Sequence, residues 1–192
     1  LKERDVKFAM VNEAGASVYS TSPLGREELP KFDPVLRSAI SIGRRLQDPL
    51  SELVKINPAN IGVGLYQHDV RAKHLEESLD AVVESCVNFV GVNVNTASPS
   101  LLRYVSGLNQ LTARRLYEYR QKHGPFRNRA QFKNVPGFGE ATFVQAAGFL
   151  KIIGGDNPLD ATWIHPESYE VAERVIAELG GSVDELATGE RG

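Results

Sequence analysis

The chain has 192 residues, 42% of them hydrophobic and 24% charged, with a formal net charge of −2. That is ordinary globular material, enough for one or two small domains with a buried core, and the overall charge by itself says nothing about nucleic acid. A single cysteine excludes a disulfide framework and fits a reducing compartment; with no apolar run of eighteen residues and no signal-peptide pattern, the expected location is the cytoplasm.

In chain order, Val6 to Val11 is β-prone and ends in Asn12-Glu13-Ala14-Gly15, which predicts a strand followed by a loop. Asp33-Pro34 is an N-cap with proline at the first helical position, and Asp48-Pro49 repeats the device. Asn57-Pro58 ends that element. A long helix is predicted from about Asp69 to Val90, with Cys86 in its apolar pattern and therefore expected as a small buried hydrophobe. Asn95-Thr96-Ala97-Ser98-Pro99 caps the next helix. Beyond Gly154-Gly155 a further helix runs through Val171, Val175 and Leu179 to Gly180-Gly181, and Trp163 is expected to anchor the packing of this tail.

Between these elements lies a repeat. Val105-Ser106-Gly107-Leu108-Asn109 and Val135-Pro136-Gly137-Phe138-Gly139 read as one tight turn used twice, and Leu102 with Phe132, Arg103 with Lys133, and Thr112 with Thr142 match at the same offset. The duplicated unit is helix, hairpin, helix. Glycine supplies the positive φ such a turn needs and lets phosphate approach the unpaired amides that open the next helix. Leu108 and Phe138 are expected to point inward and lock the helices. Residues 97–155 hold nine Lys or Arg against two acids, a net of +7, whereas 156–192 carry −7 and 1–96 carry −2. The expected phosphate contacts are therefore Gly107, Leu108, Asn109 and Gln110 in the first hairpin and Gly137, Phe138, Gly139, Glu140 and Thr142 in the second. Arg103, Arg114, Arg115, Arg127, Arg129 and Lys133 would add longer-range attraction. A helical hairpin that binds nothing remains the plain alternative.

The string Val92-Asn93-Val94-Asn95-Thr96-Ala97-Ser98, followed by two hairpins joined through His123-Gly124-Pro125-Phe126-Arg127, resembles the tandem helix-hairpin-helix domain of competence-type DNA-binding proteins. Further strings extend the likeness: Asn12 to Tyr19, Arg44-Arg45-Leu46-Gln47-Asp48-Pro49-Leu50, Gly62 to Val70, and Asp156 to Asp160 with His165-Pro166-Glu167. In this order they resemble the bacterial Tex family of transcription accessory proteins. The resemblance implies a fragment of a longer protein, as does the opening Leu1-Lys2-Glu3-Arg4. It would comprise the end of a YqgF domain of RNase H-like fold (1–56), a connecting segment and long helix (57–91), a tandem helix-hairpin-helix domain (92–152) and a C-terminal helical extension (153–192). The implied fold is mainly α with a small α/β remnant, and the implied role is binding RNA or DNA in transcription, with the transcription machinery as a possible partner. Asn109 stands where the hairpin pattern usually has its second glycine, and Glu140 places an acid beside the expected phosphate.

Two other readings stay open. Glu13 and Asp48 match in position two acids of the YqgF and resolvase pattern, which would hold metal ions in a nuclease, but the strand bearing a first acid is outside the chain, so no catalysis is expected. Alternatively the chain is a scaffold that binds protein. No metal site is expected, since His68, His74, His123 and His165 lack ligand spacing, and no cofactor or small-molecule substrate is implied.

Overall fold

The computed structural model describes residues 7–62 and 64–188. The chain is mainly α and divides into two units, Leu1–Ala81 and Val82–Gly192.

The first unit contains α1 (Ala16–Thr21), α2 (Pro23–Glu28), α3 (Pro34–Gln47), α4 (Pro49–Leu53) and the first half of α5 (Ala72–Val90). Its starts follow the capping residues: the side chains of Ser22, Asp33 and Asp48 each accept a main-chain N–H, and proline follows each of them. The small core gathers around Tyr19, which is 1% exposed, with Ala16, Val54 and Ile56. The Tyr19 hydroxyl donates to Glu28 (2.7 Å), and the same carboxylate oxygen accepts from Arg44 (3.2 Å) and Lys55 (2.9 Å). Burial, then the neighbouring carboxylate, pushes the Tyr19 phenol above its ordinary range.

The strand expected at Val6 to Val11 does not form. Val6 lies outside the described residues, and 7–13 are neither helix nor strand, with Phe8 and Met10 almost fully exposed. A β-prone run becomes a strand only when another segment pairs with it, and no described segment does so.

The second unit takes the rest of α5, then β1 (Val92–Asn93), α6 (Pro99–Leu102), α7 (Gln110–His123), a 3-10 segment (Arg129–Asn134), α8 (Glu140–Ala146), β2 (Leu150–Lys151), α9 (Tyr169–Glu178) and α10 (Val183–Thr188). β1 and β2 pair in parallel, Val92 with Leu150 and Asn93 with Lys151, so the two-hairpin segment is closed by its own ends. Inside, Leu102 and Phe132 are both fully buried, as are Val105 and Val135, so the matching positions of the repeat do matching work. An aromatic series runs through this core: Tyr119 lies 5.5 Å from Phe126, Phe126 meets Phe132 edge-on at 5.1 Å, and Phe132 is 5.7 Å from Phe138.

Three expectations are corrected in this unit. Cys86 is exposed, on a face of α5 where Val82, Phe89 and Val90 are exposed too, so its apolar pattern is not a core pattern. Trp163 is 64% exposed rather than a packing anchor; the tail is held instead by a buried arginine. That residue is Arg129, expected on the attracting surface but only 2% exposed. Its Nε donates to Leu150 O (2.9 Å), its guanidinium nitrogens donate to Thr162 O (2.7 Å), Ile164 O (2.7 Å) and the Tyr169 hydroxyl (2.6 Å), and Tyr169 donates in turn to Asp160 (2.5 Å). A fork of fixed donors meets main-chain oxygens that no other side chain in the region could satisfy together, and this draws the charge inside.

Candidate nucleic-acid interface

Both turns are closed by the same bond: Leu108 N donates to Val105 O at 3.0 Å, and Phe138 N donates to Val135 O at 2.9 Å. The third residue of each is glycine, at φ +82 for Gly107 and +80 for Gly137. That is the left-handed conformation a type II turn requires there. Both glycines lie at the surface. Phe138 points inward as expected and is 2% exposed, so only its main chain is available to a ligand, while Leu108 is half-buried.

The two hairpins then differ at their helix entries. Asn109 caps α7: its carboxamide oxygen accepts from Leu111 N and Thr112 N, both at 2.9 Å, and Thr112 Oγ1 accepts from Asn109 N at 2.9 Å. This reciprocal cap consumes amides that would otherwise face solvent. At the second hairpin the N-cap is Gly139, which has no side chain to offer. Among the described residues, nothing accepts from the amides of Gly139, Glu140, Ala141 or Thr142, of which the first three are exposed. Gly107 has a packing duty as well, because a Cβ there would lie 2.6 Å from Cβ of Gln145 on α8. The first bend is therefore pressed against the helix of the second, and the second is the open one.

The basic side chains sort by what they already hold. Arg115 reaches from α7 to the second turn, donating to Pro136 O at 3.2 Å, with its guanidinium 2.4 Å from where a Cβ on Gly137 would stand. Arg103 lies over the Tyr104 ring and donates to its hydroxyl at 2.6 Å. Arg114 pairs with Glu118, Arg127 with Asp156, and Lys133 with Glu140, so part of the local positive charge is already matched. Arg120, counted in the basic segment, donates to Val94 O and Ala97 O, and desolvation lowers its pKa; it binds the loop before α6 to α7. Nothing in local sequence distinguishes these arginines, since the acceptors of Arg115, Arg120 and Arg127 lie 21 to 29 residues away and those of Arg103 and Arg114 on the same or a neighbouring turn.

The two acids of the nuclease reading take ordinary positions. Asp48 caps α4, accepting Ser51 N at 3.0 Å and the Ser51 hydroxyl at 2.6 Å, and Glu13 is an exposed loop residue. No helix among the described residues is long and apolar enough to cross a membrane.

Comparison with known proteins agrees with this geometry. Residues 1–47 match the Tex protein YqgF-like domain, residues 87–151 the helix-hairpin-helix motif, and residues 157–191 the HHH domain. The last match covers much of the segment read from sequence as a helical extension. Similar proteins include Protein tex of Bordetella pertussis, 58% identical over 174 residues, 91% of this chain and 22% of that protein. Transcriptional accessory protein Tex of Neisseria gonorrhoeae is 54% identical over 186 residues, 97% of this chain and 25% of its own length. S1 RNA-binding domain-containing protein 1 of Homo sapiens is 44% identical over 230 positions, 95% of this chain and 23% of that protein. The chain thus spans about a quarter of the length of these relatives. With such identity across nearly all of its residues, and with YqgF-like and helix-hairpin-helix matches in succession, the chain belongs to the Tex family.

Proposed function

We propose that this segment binds RNA or DNA through the phosphate backbone, without regard to base sequence, as part of a transcription accessory protein. The observation that carries the reading is the second hairpin: Gly139, Glu140 and Ala141 are exposed residues whose amides meet no acceptor among the described residues, beside the Arg115 guanidinium. Main-chain donors at a helix start, joined by a planar cation, recognise phosphate and are blind to the base. The names of the Tex and S1 RNA-binding relatives support a nucleic-acid partner, and the helix-hairpin-helix matches support this part of the chain as one place where it binds. Glu140 opposes binding only in part, since its charge is already matched by Lys133 at 2.8 Å.

Fluorescence anisotropy with duplex DNA, single-stranded DNA and single-stranded RNA at several salt concentrations tests the reading. Dissociation constants of roughly 10⁻⁴ to 10⁻⁶ M are expected, with log K falling by about 0.7 to 0.9 per neutralised phosphate for each unit of log salt. Absence of salt-dependent binding to all three would favour a protein-binding scaffold.

Gly137→Val offers a sharper test. The substitution strains a residue at φ +80 and displaces Arg115 from the turn, so affinity is expected to fall by roughly tenfold or more. Unchanged affinity in a protein whose circular dichroism shows it still folded removes the second hairpin as the contact.

A further inference from the structure

The exposed indole of Trp163 is held in place by groups that have no other evident use. Its Nε1 donates to Phe89 O at 3.2 Å, which fixes the ring in its own plane. The Lys151 ammonium sits 3.4 Å from the ring centroid and also donates to Val90 O at 3.0 Å. Gly91 leaves room for this arm, because a Cβ there would lie 2.7 Å from Cε of Lys151. With one face under the ammonium and the ring edge bonded, a residue exposure of 64% leaves the other face to solvent. Phe89, which supplies the carbonyl, is itself 83% exposed.

We infer that Trp163, Lys151 and Phe89 form a stacking platform for the bases of single-stranded nucleic acid. Two exposed aromatics and a cation held against one of them are the composition that single-strand binders use, since every base has a π-face and every linkage a phosphate. A ring already immobilised loses little freedom on binding. Charge at the ring favours a polyanion over an apolar peptide: the Lys151 ammonium lies on one face, and the two acids closest in sequence to Trp163 are engaged, Asp160 with Tyr169 and the Arg129 amide, and Glu167 beside His165. Location fits too. His165 Nε2 lies 3.1 Å from Val144 O, which ties this segment to the C-terminal half of α8, and α8 begins at the second hairpin, about 6 Å back along the helix axis from Val144. One strand can touch both.

The inference rests on the nucleic-acid reading above, and its test separates the two. Trp163 is the chain's only tryptophan, so its emission reports the platform alone. A single-stranded oligouridylate of about ten nucleotides should quench that emission saturably, while a duplex binds, by anisotropy, without quenching it. Trp163→Ala and Phe89→Ala should each weaken oligouridylate binding roughly five- to hundredfold and leave duplex binding unchanged. Oligouridylate that binds by anisotropy with no quenching, or that is indifferent to both variants, overturns the platform and leaves the hairpin reading intact. Quenching by oligouridylate with an affinity unchanged in folded Gly137→Val would overturn the hairpin reading and keep the platform.

Discussion

Arg129→Ala is expected to lower the unfolding free energy of the second unit by about 3–5 kcal/mol, measured by urea denaturation followed by circular dichroism. Among the described residues the guanidinium is the one side-chain donor to Leu150 O, Thr162 O and Ile164 O, and it also donates to the Tyr169 hydroxyl. Deleting it leaves buried oxygens without protons and opens a void the size of the side chain. Arg129→Met separates these costs, because it refills most of the volume and restores none of the bonds. If hydrogen bonding dominates, methionine recovers less than half of the loss. Arg129→Lys should also fail, since one ammonium cannot aim at three main-chain oxygens on different strands of chain. A loss below about 1 kcal/mol for alanine would mean the buried fork does not hold the 157–169 segment to the hairpins.

That arginine also marks where sequence stops informing structure. The hairpins were legible because their cause is local: a glycine at the third turn position, an inward residue after it and a capping pattern beyond, all within ten residues. The capped helix starts at Asp33, Asp48 and Ser98 were legible for the same reason. Arg129 looks like any surface base until Leu150, Thr162 and Ile164 turn their carbonyls toward it, and those lie 21 to 35 residues away. Trp163 fails in the opposite sense. A large aromatic normally signals a core, but this ring is 64% exposed, bonded through Nε1 to Phe89 O and covered on one face by Lys151, while the core of the unit is made by others such as Phe132, Leu150, Ile152 and Leu159. Val6 to Val11 reads as a strand by propensity alone, and propensity does not supply the partner whose N–H and C=O groups a strand needs.

The asymmetry between hairpins gives the most direct prediction about binding. The caps at Gly139 and Asn109 differ by one side chain, so exchanging these residues should exchange the caps. At Gly139 the backbone is extended, at φ −81 and ψ −179, and a Cβ meets nothing within 4 Å, so Gly139→Asn fits without strain. Its carboxamide would then accept from Ala141 N and Thr142 N as Asn109 does from Leu111 N and Thr112 N. Thermal stability should hold or rise slightly, since asparagine caps a little better than glycine. Affinity for duplex DNA should nonetheless fall roughly ten- to hundredfold, the worth of hydrogen bonds to a charged group now occupied internally. Asn109→Gly should do the reverse, freeing two amides at α7 and strengthening binding while costing a few tenths of a kcal/mol of stability. Stability and affinity thus move in opposite directions, which no account based on general unfolding produces. Should Gly139→Asn bind as tightly as the parent at every salt concentration, phosphate is not held by the amides of the second hairpin, and the basic side chains alone must account for the attraction.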